Sequence, residues 1–201
     1  LFTFYFLLFT CFMETTCSWP GNDPLMNEYH DTEWGVPVHD DRKLFEFLVL
    51  DAFQAGLSWK TILHRREGFR KAFDNFEAEK IAAYTEDDYN RLLNDAGIIR
   101  NRAKIRGTIL NARLFLEVQK EFGSFDKYIW QFTGGKTLVN HWDDLKQIPA
   151  TSPESDAMAK DMKKRGFTFC GSTICYAFMQ AAGMVDDHLE NCFRKGKTQG
   201  S

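Results

Sequence analysis

The chain has 201 residues, 44% of them hydrophobic, and a formal net charge of -3. That length suits one domain, or a domain with a small lobe, with enough apolar residues for a core. The mild acidity excludes a protein that grips nucleic acid through overall basicity, so any such role must rest on a local patch. The cysteines, Cys11, Cys17, Cys170, Cys175 and Cys192, are odd in number and do not space as a disulfide framework. A reducing, cytoplasmic setting is therefore expected.

Residues 1–12 are almost wholly apolar. They lack the basic start of a signal peptide and are too short to span a bilayer, so no membrane partner is expected. Met13 reads as the natural start, with residues 1–12 an upstream extension outside the native domain. The alternative is a truncated signal or anchor, which would put Cys17 in an oxidising compartment. Helical patterns then follow one another. Residues 40–53 place Leu44, Phe47, Leu48 and Leu50 behind the cap candidates Asp40 and Asp41. Residues 58–73 form a second helix, and Thr85-Glu86-Asp87-Asp88 opens a third in capping-box style. Residues 100–122 carry Ile105, Ile109, Ala112 and Leu116 on one face. Ser152-Pro153 marks an N-cap and first helical position, Gly166 a stop, and a last helix covers residues 172–182. Strand patterns are scarce, with residues 167–170 at best a short extended stretch. The expected fold is all-α: one domain over residues 13–193, monomeric, with a flexible tail at 194–201.

One segment could touch DNA. In residues 92–105 a helix ends near Ala96, Gly97 offers a positive φ, two aliphatics follow, and a new helix starts almost at once. Such a hairpin turns the free N–H groups of the second helix outward, where they and the helix dipole can hold a phosphate. From Arg100 to Arg113 stand Arg100, Arg102, Lys104, Arg106 and Arg113, with no Asp or Glu. Backbone binding, which carries no sequence information, is one reading; a solvated helix face after a glycine cap is the other. A second cluster, Lys160, Lys163, Lys164 and Arg165, is diluted by Asp156 and Asp161 and reads as an exposed helix end.

The two ends of the chain carry a pair of pairs: Cys17 with His30, and His188 with Cys192. Thiolate and imidazole are the ligands Zn²⁺ favours, and a closed structural site takes four. On a helix, His188 and Cys192 would share a face. The spacing is weak evidence by itself, because Cys and His are also ordinary core residues.

With these residues the chain resembles the DNA-3-methyladenine glycosylase I family, the zinc-containing bacterial base-excision enzymes of the helix-hairpin-helix superfamily. The resemblance runs from about Cys17 to Cys192. It rests on Asp23-Pro24-Leu25, Tyr29-His30-Asp31, Glu33-Trp34-Gly35-Val36-Pro37, Gln54-Ala55-Gly56-Leu57-Ser58-Trp59 and Asp95-Ala96-Gly97-Ile98-Ile99-Arg100. It continues in Lys164-Arg165-Gly166-Phe167, Thr173-Ile174-Cys175-Tyr176 and Asp187-His188. The resemblance implies a helix-hairpin-helix glycosylase fold whose ends are joined by one structural Zn²⁺ on Cys17, His30, His188 and Cys192. It implies hydrolytic removal of 3-methyladenine from alkylated double-stranded DNA, with the base flipped out of the duplex and no strand cleavage. Tyr29, Trp59 and Asp51 fall on the positions that recognise the cationic base. Trp19 and Trp34 are further aromatics nearby. Leu57 is a candidate wedge for the gap left in the stack, and Gly97, Ile99, Arg100, Arg102 and Lys104 are candidates for the DNA backbone.

This sequence departs from the family's pattern at several places. Asp51 stands where the family usually has Glu, with a reach shorter by about one bond. Ala52 and Phe53 replace a small and a polar residue, and Met26 follows Pro24-Leu25 where an aromatic is common. A more apolar, reshaped pocket is expected. A non-catalytic DNA-binding module derived from the same fold is the rival reading, and a metal-stapled protein-interaction domain a third. Glu117 and Glu121, on an exposed face after the hairpin, are assigned no role.

Overall fold

The computed structural model describes residues 15–197. The readings of residues 1–12 as an extension and Met13 as a start, together with Cys11 and the last four residues of the tail, 198–201, lie outside them. Ten α-helices lie among the described residues, most joined by short turns and the eighth and ninth by a longer connection over residues 131–152, with one pair of two-residue strands. Asp23 caps α1 (Pro24–Thr32), accepting from the N–H of Leu25 and Met26, with Pro24 at the first turn. Asp40 caps α2 (Asp41–Gln54) in the same way through Lys43. Every residue of α2 from Leu44 to Phe53 is buried, so α2 is the central helix; a helix apolar all round belongs inside. It packs against the later helices α7 (Arg102–Phe122), α8 (Phe125–Trp130) and α10 (Ser172–Ala181).

The helix expected over residues 58–73 is broken into α3 (Trp59–Leu63) and α4 (Arg66–Ala72). The break at His64 and Arg65 accompanies an inward turn of Arg66. Its guanidinium reaches Glu33 at 2.7 and 2.8 Å and Glu46 at 2.8 Å. Short helices α1, α5 (Ala78–Ala82) and α8 carry too few turns to show a period in sequence. The capping box at Thr85 and Asp88 opens α6 (Glu86–Asn94) as expected. The long helix α7 starts at Arg102 rather than 100, because the side chain of Asn101 caps it by accepting from Lys104 N. It ends on Gly123 in the left-handed region at φ 87°. Ser152 and Pro153 open α9 (Pro153–Lys164), and Gly166 follows it at φ 97°.

Two details differ from an all-α chain. Leu138–Val139 (β1) pairs in parallel with Val185–Asp186 (β2), and Trp142 bridges Leu189 beyond them. Residues 187–192 are therefore not helical. His188 and Cys192 converge through a turn in which Cys192 N bonds Leu189 O at 2.8 Å. Residues 167–170 form bends rather than a strand. The ordered chain passes residue 193: Gly196 N donates to Asp186 Oδ2 at 2.9 Å and Lys195 Nζ to His188 O at 3.1 Å. No helix among the described residues is long and apolar enough to cross a membrane.

Candidate active site and metal centre

A cavity of about 350 Å³ opens between α1, α2, α3, α10 and the loop before α9, lined by Trp19, Tyr29, Trp34, Asp51, Trp59 and Gln180 among others. Each wall follows from a local rule. Tyr29 leaves α1 on the buried face beside Met26 and His30. Asp51 points inward from the last turns of α2. Ser58 caps α3 by accepting from Thr61 N, which sets Trp59 as its first residue. The Tyr29 and Trp59 rings lie 5.1 Å apart, and Trp19 meets Trp34 edge to face at 5.1 Å. Leu145, Ile148, Ala177 and Ala181 complete an apolar lining.

Asp51 is the exception in this apolar setting. It is 3% exposed, and its Oδ2 is buried with no hydrogen-bond partner. Burial holds its carboxyl well above the usual carboxylate range, because the charged form loses its water. Burial, and then the nearby Asp51 charge, likewise pushes the Tyr29 phenol up. An unpaired buried carboxyl is costly to keep. Here it faces an aromatic cavity, so it is poised to meet a ligand with donors or positive charge. Behind Tyr29, Arg66 ties Glu33 of the α1 cap to Glu46 of α2, which stiffens this wall.

Asp187 is a feature that spacing alone did not reveal. It is 1% exposed. Its Oδ1 accepts from Asn140 Nδ2 at 2.8 Å and Trp142 Nε1 at 2.7 Å. Its Oδ2 accepts from Tyr176 OH and Gln180 Nε2, both at 2.7 Å. One carboxylate thus holds Gln180 of the cavity wall to the loop leading to Leu145 and Ile148. The pairing of Asp187 with His188 in sequence was the sole hint.

Next to the cavity, the ligand atoms of Cys17, His30 and Cys192 lie within 4.8 Å of one another, all buried. This Cys-His-Cys group could bind a metal ion. The His188 ring stands 5.0 Å from that of His30, and its Nε2 is buried without a partner. Both histidines donate Nδ1–H to a carboxylate, His30 to Asp31 and His188 to Asp186, each at 2.7 Å. That arrangement fixes the tautomer and leaves Nε2 as a lone-pair donor, as metal-ligating histidines require. Burial keeps His30 neutral by lowering its pKa, though Asp31 opposes the shift. Burial pushes the Cys17 thiol up to about 12; the Leu189 N–H pulls it back and Cys192 adds to the rise. A bound cation inverts that order and draws thiol protons off. The donor set, the two carboxylate-backed rings and the orphaned Nε2 all fit a metal.

The hairpin segment lies between α6 and α7. Arg100 and Arg102 are exposed, and Gly97 and Ile99 partly so. Gly97 does not take a positive φ. Its requirement is closeness: a Cβ on Gly68 would lie 2.3 Å from Gly97 O. Lys104 does not face solvent. It is buried, with Nζ donating to Phe53 O at 2.8 Å and Ala55 O at 2.6 Å, which removes it from any phosphate-binding surface. Arg106 pairs with Glu86 at 2.9 Å, and Arg113 Nε donates to Ala82 O at 2.9 Å. Leu57 is 41% exposed on the turn between α2 and α3. In the second basic cluster Arg165 is held by Glu121 and Asp161.

The model of the methyladenine glycosylase family matches residues 19–195. The chain is 48% identical to DNA-3-methyladenine glycosylase 1 of Escherichia coli over 176 residues, 88% of this chain and 94% of that one. It is 45% identical to the DNA-3-methyladenine glycosylase of Haemophilus influenzae, over 90% of this chain and 97% of that one. It superimposes with a TM-score of 0.88 on 3-methyladenine DNA glycosylase I of Staphylococcus aureus, a structure solved to explain 3-methyladenine recognition. That pair is 34% identical, with 92% of this chain and 98% of the other covered.

Proposed function

As the chain belongs to the methyladenine glycosylase family, we propose that it is a base-excision repair glycosylase. It flips 3-methyladenine out of alkylated double-stranded DNA and hydrolyses the glycosidic bond, leaving the strand uncut. The observation that carries this reading is the buried, unpartnered carboxyl of Asp51 in an aromatic cavity.

Methylation at N3 makes the adenine ring cationic, so its glycosidic bond is already labile. The site therefore has to select and hold more than to force. Aromatic faces of Trp59 and Tyr29 attract a cation. A cation arriving beside Asp51 restores its charged form and gains a charge-assisted hydrogen bond. Neutral adenine brings no charge to offset the burial of the carboxylate, so the same group discriminates against undamaged bases. Water attacks C1′ as the base departs. Leu57 fills the stack where the base stood. Gly97, Ile99, Arg100 and Arg102 sit against the backbone, in helix-hairpin-helix fashion, where contacts position without reading sequence.

The neighbouring ligands Cys17, His30, His188 and Cys192 fit one Zn²⁺. A closed set of four leaves no position for water, so the ion supplies folding energy and not chemistry. Buried Cys170 and Cys175, outside the metal set and without a disulfide, agree with a cytoplasmic setting. The reading is of a monomer whose domain covers residues 13–193 at least. The test is base release from methylated duplex DNA, followed by chromatography: free 3-methyladenine with intact strands is expected. Tight binding without release would replace this reading with a DNA-binding module.

A further inference from the structure

The buried ammonium of Lys104 belongs to neither the cavity lining nor the Cys-His-Cys cluster. It sits in the third position of α7, two residues after exposed Arg102 and four after exposed Arg100. Yet it is 7% exposed and turned inward. Its two acceptors, Phe53 O and Ala55 O, belong to the last turn and cap of α2. Burial lowers its pKa, and no carboxylate among the described residues offsets that. A cation held by carbonyls alone is expensive, so its placement calls for a reason.

The reason lies at the end of α2. The final carbonyls of a helix lack partners and carry partial negative charge, which a cation in the last turn usually answers. The last turn of α2 contains no basic residue; Lys104 answers it from another helix. The chain then turns sharply, with Leu57 N on Gln54 O at 2.6 Å and Gly56 at φ 81°, and presents Leu57 to solvent. Asp51 lies two residues before the first clamped carbonyl, Phe53 O, and four before the second, Ala55 O. One ammonium therefore spans three things: the helix after the hairpin, the turn that carries Leu57, and the turn that carries Asp51.

We propose that Lys104 is a positioning residue that locks the Leu57 turn to the hairpin, so that a duplex seated on Arg100 and Arg102 meets the wedge in register; it touches no phosphate. This rests on the glycosylase reading above. The test compares K104M, which keeps the stem and loses the donors, with R100A and the parent chain, all folded at the assay temperature. Three quantities are read: excision from methylated duplex, affinity for free 3-methyladenine, and the salt dependence of duplex binding. For K104M, excision is expected to fall on the order of tenfold, the scale of a small misplacement, with free-base affinity within about twofold of the parent. Its salt slope stays at the parent value, whereas R100A lowers the slope by about one, as loss of a phosphate contact does. A K104M slope lowered like that of R100A overturns the proposal. So does unchanged excision, or a free-base affinity that falls as far as excision does. Failure of the parent chain to release any base would instead overturn the glycosylase reading.

Discussion

At the scale of single residues, Asp51 joins stability to function with opposite signs. In the unfolded chain its carboxyl ionises near pH 3.9; in the folded chain burial keeps it protonated to a higher pH. Unfolding above pH 3.9 therefore releases a proton, and rising pH favours the unfolded state, by about 1.4 kcal/mol per pH unit until the folded carboxyl ionises. Asp51→Asn removes that drain. The variant should melt higher than the parent at pH 7, with the gap closing toward pH 4, while excision of 3-methyladenine falls about 10- to 100-fold, the worth of one hydrogen bond to a charged group. Melting curves across pH and a base-release assay check both halves; a gap between variant and parent no larger at pH 7 than at pH 4 sinks the first. The identity of Asp51 was legible only through resemblance to known sequences, since an Asp in an apolar run says nothing about whether it meets a cavity or a partner. Lys104 was misread for a related reason. Sequence gives its charge, while its direction depends on sharing the α7 face of buried Gly107, Thr108 and Asn111.

At the scale of elements, the approach of α4 to the hairpin is controlled by two glycines. A methyl at Gly68 would fall 2.3 Å from Gly97 O, a backbone atom that cannot swing aside. Gly68→Ala should push the hairpin away from α4, lowering stability by about 1–3 kcal/mol and weakening duplex binding, while affinity for the free base is kept. Denaturant unfolding and DNA titration measure these; a variant that binds duplex like the parent would show that the spacing is immaterial. The glycine in the hairpin was legible as a turn residue, but for the wrong property, because periodicity cannot reveal a neighbour 29 positions away. The division of residues 58–73 into α3 and α4 escaped the sequence for the same reason. It accompanies the Arg66 contacts with Glu33 and Glu46, which no local pattern encodes. Long helices with caps, α2, α6, α7 and α9, were readable because their signals are local.

At the scale of the molecule, the metal-fit cluster joins the first described residues to the last. Elemental analysis should find one zinc per chain. Stripping it with a chelator should lower the melting temperature while the excision rate, measured well below the transition, stays near that of the metal-bound protein; a rate that collapses with the fold intact would make the ion catalytic. Cys17, His30, His188 and Cys192 were visible in the sequence as residue types. That Cys17, His30 and Cys192 meet was not, because the turn at 187–192 and the parallel pairing of β1 with β2 depend on tertiary contacts. Cys192 Sγ and His30 Nε2 come within 3.5 Å across 162 positions. Such a contact forms only once the last ligand has emerged from the ribosome. Closing so long a loop costs entropy that grows only with the logarithm of its length, so the delay is one of timing more than of energy. The nascent chain thus holds Tyr29 and Asp51 well before it can brace them, and a chain stopped short of His188 would carry the pocket residues without the fastening that keeps them apart from random encounters.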